Sequence, residues 1–169
     1  MYAKLGMTVG VVCATLGLAG AVHAQTFQGT INGEPRTWHV LSQGNESTVS
    51  ISEQGPGVQM VVIQGHAQPN YLVKGTLTIN AALNNGKPMA PPDVMFFPES
   101  SIMPSYVSVV QSPGEFSIAV KQGGDGKSQV QGQYKGKLFM VAKVGQSPDM
   151  NKSIDVSVSF DLPALKMKQ

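Results

Sequence analysis

Residues 153–162 spell SIDVSVSFDL, and this stretch decides the fold. Its even positions, from Ile154 to Leu162, are all apolar, and its odd positions, from Ser153 to Asp161, are all Ser or Asp. Successive side chains of a β-strand point to opposite faces, so this alternation predicts a strand with one buried and one solvated face. A strand of that kind is typical of an antiparallel sheet.

The same period of two recurs along the chain. We expect strands over 27–31, 38–40, 49–52, 58–63, 71–80, 94–97, 106–110, 115–121, 127–143 and 153–162. Asn32-Gly33 is a strong hairpin dipeptide and pairs the first two. Gly132 and Gly136 lie on the apolar face of the longest strand, where Met140 and Ala142 should continue that face, and such glycines often mark a bend or bulge. Residues 81–84 could form one helical turn at most.

Clusters of Gly, Pro, Asn, Asp and Ser separate these runs, and no segment has a convincing helical period. The sequence therefore predicts an all-β fold, a single-domain antiparallel β-sandwich of about nine or ten strands. A small β-barrel is the alternative. We favour the sandwich because the strand lengths are uneven and a long loop interrupts the middle.

Residues 1–24 have the pattern of a cleaved secretory signal peptide. Lys4 precedes a mostly apolar run, and Val22 and Ala24 are small residues at the positions that signal peptidase recognises. A membrane anchor and a lipoprotein modified at Cys13 are the alternatives. Cleavage after Ala24 leaves 25–169 as one β-sandwich domain without cysteine and without a membrane span. We expect this domain in the periplasm or secreted medium of a bacterium.

The composition excludes several classes of function. Only 13% of the residues are charged, and without Lys4 the 12 Lys and Arg fall to 11 against 10 Asp and Glu. A nucleic-acid binder needs a surplus of positive charge. No Gly-x-Ser-x-Gly motif is present, and cleavage removes the one cysteine as a nucleophile. We expect neither a catalytic site nor a cofactor.

Two other functions stay open at this point. Asp93 and Glu99 bracket an apolar strand and could act as the carboxylate pair of a glycan hydrolase. Methionine is frequent, and thioethers with imidazoles suit Cu(I) in a periplasmic protein. That copper site would draw on His39, His66 and seven methionines: Met60, Met89, Met95, Met103, Met140, Met150 and Met167. We expect Met60 and Met140 to be core residues.

The best candidate for a binding site is the segment 86–106. It holds five of the chain's 11 prolines, which lower the cost of ordering a loop, and its apolar residues are Met89, Met95, Met103, Phe96 and Phe97. We expect Met89 and Met103 to point outward and Phe96 inward. A crossover that tucks residues 95–97 into the sandwich edge is the alternative. The partner would be a protein, a glycan or another surface component of the envelope.

Overall fold

The computed structural model describes residues 23–44, 46–123 and 127–167, so most of the predicted signal peptide lies outside the described residues. The described part is all-β, as predicted, with more strands than the nine or ten expected. The strands are β1 (His23–Ile31), β2 (Glu34–Gln43), β3 (Glu46–Ser47), β4 (Val49–Gly55), β5 (Val58–Gly65), β6 (Thr76–Asn84), β7 (Lys87–Pro88), β8 (Asp93–Phe97), β9 (Ser105–Val107), β10 (Glu115–Gln122), β11 (Lys127–Val141) and β12 (Asp149–Met167).

All twelve strands belong to one hydrogen-bonded sheet. Its order is β10-β11-β9-β8-β6-β5-β4-β12-β1-β2-β3, β7 pairs with β6, and an additional pairing joins β11 to β12. The strands from β11 through β9, β8, β6, β5 and β4 to β12 therefore form a closed ring. This arrangement agrees with both a sandwich and a small barrel. The expectation of purely antiparallel pairing is wrong at one place, because residues 165–167 of β12 run parallel to residues 50–52 of β4.

The strand that decided the prediction lies at the centre of the structure. Every even residue of 154–164 is buried, while the odd residues are exposed or half-buried. Val156 is 2% exposed and Leu162 is fully buried. One edge of β12 pairs with β11 along most of its length, and the other pairs first with β1 and then with β4. The buried face of β12 contributes to a core cluster that also draws on β1, β2, β4, β5, β6, β8 and β11.

The hairpin at Asn32-Gly33 forms as predicted. Both turn residues have positive φ, 52° and 81°, as a two-residue turn of type I′ requires. Phe27 lies directly opposite Trp38, and the two rings stack with centroids 5.4 Å apart. Because Trp38 is only 1% exposed, this pair anchors the β1–β2 hairpin in the core.

The two glycines of β11 do not interrupt the strand. Register with β12 is continuous through both, and the irregularity falls between Phe139 and Met140. Gly132 instead makes room for the ring of Phe160 on the opposite strand, which a Cβ would approach to 2.8 Å. Beyond the irregularity the faces exchange: Phe139 is buried, Met140 is half-buried and Ala142 is exposed. The predicted burial of Met140 and Ala142 is therefore wrong, and the bulge lies at Phe139 and Met140 and not at the glycines.

The predicted strand over 71–80 begins only at Thr76. Gly75 has a φ of 75°, which a strand does not allow, and the preceding Tyr71 and Leu72 are exposed. At its other end, residues 81–84 continue β6 and form no helical turn. They do so because β6 pairs with β5, with Ala81 opposite Val61.

Candidate functional site

The structure divides the predicted segment 86–106 between two ends of the molecule. Met89 follows β7 and its amide donates to the carbonyl of Ala82 at 2.9 Å. Met103 follows β8, the strand that separates the two methionines. At about 3.3 Å per residue, a strand of this length spans roughly 16 Å. Met89 and Met103 therefore do not form one binding face, although Met89 is 57% exposed.

The other candidate residues lie on β8 or next to it. Met95, Phe96 and Phe97 are half-buried, and Phe96 packs against the core cluster. Met103 is also half-buried, and the hydroxyl of Ser105 lies 3.6 Å from its sulfur. Residues 95–97 therefore lie in a regular strand, as in the alternative in which a crossover tucks them into the edge of the sandwich.

Ser108 holds the proline-containing segment that leads into β8. Its hydroxyl donates to the carbonyl of Pro92 at 3.0 Å and accepts from the amide of Val94 at 2.9 Å. A shallow concavity of about 290 Å³ lies here, lined in part by Met60, Pro91 and Val110. Met60 is half-buried at this edge and is not the core residue that the sequence predicts.

A second apolar surface, not anticipated from the sequence, lies at the opposite end of β8. The loops 66–75, 98–104 and 142–148 leave β6, β8, β9 and β11 at one end of these neighbouring strands. We call the exposed apolar side chains on these loops and at the start of β12 the apolar end. They are between 51% and 75% exposed: Tyr71, Leu72, Ile102, Val144 and Met150.

Two hydrogen-bonded anchors hold the 66–75 loop of the apolar end. The indole of Trp38 donates to the carbonyl of Gly75 at 3.0 Å. His66 is 2% exposed, and its Nδ1 lies 3.1 Å from the carbonyl of Leu72. A carbonyl oxygen only accepts, so Nδ1 donates to it, and the hydroxyl of Thr76 donates to the same carbonyl. The bonds of buried His66 set where Tyr71 and Leu72 emerge from the sheet.

The two carboxylates proposed for catalysis lie at opposite ends of β8. Asp93 begins β8 and Glu99 lies beyond its end, and both are exposed. Glycosidase carboxylates lie about 5–10 Å apart, and β8 runs between these two. His39 and His66 face each other across a β-bridge. Among the described residues no group of three or more His, Cys, Asp and Glu side chains could hold a metal ion.

A polar groove crosses the outer face of four strands. Two adjoining concavities of about 410 and 460 Å³ share Thr30, Glu115, Lys135 and Ser157 in their linings. These residues come from β1, β10, β11 and β12 and are brought together only by strand order. The sequence shows that each is on a polar strand face, but it carries no signal for which strands are neighbours.

Comparisons with known proteins give no match: no family model fits the chain, and no curated protein or solved structure is significantly similar to it. Within residues 23–44, 46–123 and 127–167, no helix is long and apolar enough to cross a membrane.

Proposed function

We propose that this protein is an exported, non-enzymatic binding protein of the bacterial envelope or extracellular space, and that the apolar end docks a partner protein. The pattern of residues 1–24 supports export. The observation that carries the docking proposal is the grouping of Tyr71, Leu72, Ile102, Val144 and Met150, all more than half exposed, at one end of the sheet.

Exposed apolar side chains that occur singly are normal, whereas grouped ones favour an interaction surface. Protein interfaces commonly have an apolar centre inside a polar rim. The three loops also supply exposed charges for such a rim: Lys74, Glu99 and Lys143. At the start of β12, Lys152 lies 3.9 Å from Asp149. The rim carries both positive and negative charges, so it is suited to a partner with mixed surface charge.

The anchored 66–75 loop strengthens this proposal. Loops that are ordered before binding pay less conformational entropy when a partner docks. The bond between His66 and Leu72 holds the exposed pair 71–72 itself, and the bond from Trp38 to Gly75 holds the loop just beyond it. The apolar end is thus presented by a rigid support, which favours a preformed docking site.

The test replaces three apolar-end residues together: Leu72→Ser, Ile102→Ser and Val144→Ser. Envelope proteins are captured by crosslinking on the wild-type protein and on this triple variant. We expect the capture of specific partners to fall by at least about tenfold, because apolar anchors carry much of an interface's affinity. Denaturant unfolding should be nearly unchanged, since the three side chains are exposed.

A matched control replaces three equally exposed apolar residues elsewhere: Met89→Ser, Val110→Ser and Met167→Ser. This control should keep the captured partners. If both triple variants lose them equally, or if the apolar-end variant keeps them all, docking at the apolar end is wrong. Export is checked separately by the intact mass of the protein recovered outside the cytoplasm, which should begin at Gln25.

A further inference from the structure

We infer that the polar groove on β1, β12, β11 and β10 is a second binding site, and that it takes a neutral, extended oligosaccharide. This site is separate from the apolar end and does not depend on the docking proposal. Cross-strand pairing orders the outward side chains of these four strands.

Two straight rows of polar residues cross the four strands. In one row Thr30 pairs with Ser157, Ser157 with Lys135 and Lys135 with Glu115. The other row is formed in the same way by Gln28, Ser159, Gln133 and Ser117. Neighbouring strands lie about 4.8 Å apart, so each row offers hydrogen-bonding groups over roughly 14 Å. A strand spacing is close to the length of one sugar ring in an extended chain.

The side chains of these two rows are unused within the protein. None of the eight forms a hydrogen bond or ion pair with another described residue. The polar groups on either side are already paired. Gln131 donates to Asp161 at 2.6 Å, and Lys137 bonds Asp155 at 2.8 Å. The two rows are therefore bordered on β11 and β12 by polar side chains that already have partners.

The chemistry of the rows favours a neutral ligand rich in hydroxyl groups. Ser and Thr hydroxyls and Gln amides can both donate and accept, as sugar hydroxyls do. Glu115 and Lys135 balance each other in charge, so an anionic polymer finds no surplus of cations. Gly29 has no side chain, and Tyr134 and Val158 are buried, so none of the three offers an apolar ligand an exposed ring or branched side chain.

An extended peptide is a poorer match to the groove. Peptides that join sheets bind at a free strand edge, where backbone groups are unpaired. The rows instead lie on a sheet face, and β11 and β12 are paired on both edges there. The absence of an aromatic ring for stacking in these rows points to weak affinity for each sugar ring, and hence to a ligand of several rings.

The test is an NMR titration of the exported protein with four neutral hexasaccharides: β-1,4-linked glucose, α-1,4-linked glucose, β-1,4-linked mannose and β-1,4-linked N-acetylglucosamine. We expect at least one to shift the backbone amides of Gln28, Gln133, Ser157 and their row neighbours. Gln133→Ala with Ser157→Ala should weaken that binding by about tenfold, because two hydrogen bonds are lost.

The matched control is Gln129→Ala with Gln131→Ala, which removes two amides from the same face of the same strand but outside the groove. Its affinity should stay within about twofold of the wild type. The inference is overturned if no hexasaccharide shifts the groove amides, or if the shifts fall on the apolar end. Binding of dextran sulfate that is lost in Lys135→Ala, without binding of a neutral sugar, would assign the groove to anions instead.

Discussion

Changing Val156 to Asp tests the burial pattern of β12 most directly. Val156 lies opposite Gly136 on one side and Ile31 on the other, and none of the described residues paired with the buried face of β12 is basic. Losing a buried valine costs about 1.5–3 kcal/mol. A fully buried carboxyl raised by about three pKa units adds roughly 4 kcal/mol at neutral pH. The sum, about 5–7 kcal/mol, is comparable with the whole stability of many domains.

The control is one residue away. Ser157 faces outward directly opposite Lys135, so Ser157→Asp creates a cross-strand pair of opposite charge and should change stability by about half a kcal/mol or less. Urea unfolding can be followed by the fluorescence of Trp38, the chain's single tryptophan.

Lowering the pH separates the two contributions to the Val156→Asp penalty. A buried carboxyl has a raised pKa, so its ionisation penalty is present at neutral pH and disappears when the unfolded chain is also protonated, below about pH 4. The deficit against wild type should therefore shrink from pH 7 to pH 3. Equal losses in the two variants, or a deficit that does not change with pH, would refute the burial pattern.

Two further predictions concern β11. Gly132→Val should destabilise the protein by about 2–4 kcal/mol, because a Cβ there would overlap the carbonyl oxygen of Ser117 and the ring of Phe160. Urea unfolding measures the loss, and Phe160→Leu should restore part of it. Burial raises the pKa of Tyr134 to about 12, and its hydroxyl has no hydrogen-bond partner among the described residues. Because the unfolded tyrosine ionises near pH 10, the wild type should lose about 2 kcal/mol more than Tyr134→Phe between pH 10 and pH 12. Equal losses in the two proteins would contradict the assigned burial.

The local parts of the fold were accessible from the sequence because their determinants are local. Alternation in 153–162 and the positive-φ dipeptide Asn32-Gly33 act over a few residues, and both predictions are confirmed. The predicted strand start at Tyr71 is wrong because Gly75 has a positive φ, which a strand does not allow. The alternation of apolar and polar residues does not reveal that conformation. The helical turn considered for residues 81–84 does not form, because pairing with β5 outweighs their weak strand propensity.

The surfaces proposed for binding depend on strand order, which alternation does not encode. Thr30, Glu115 and Ser157 are far apart in the chain and become neighbours only through β10, β11, β12 and β1. The same holds for the apolar end, where three loops meet because four strands end together. For segment 86–106 the composition was informative, but β8 places Met89 and Met103 at opposite ends, which composition cannot show.

The position of β12 in the chain has a consequence for how the protein is assembled during synthesis. The pairing of β12 with β11, β1 and β4 closes the ring, and the contact between Asn32 and Asp155 joins residues 123 positions apart. Until β12 emerges, β1 and β4 keep edges that are later paired, and pairings this distant form slowly. The nascent chain is therefore an open set of hairpins prone to edge-to-edge aggregation. Covering the open edges of β1 and β4 until β12 is complete would suppress that aggregation.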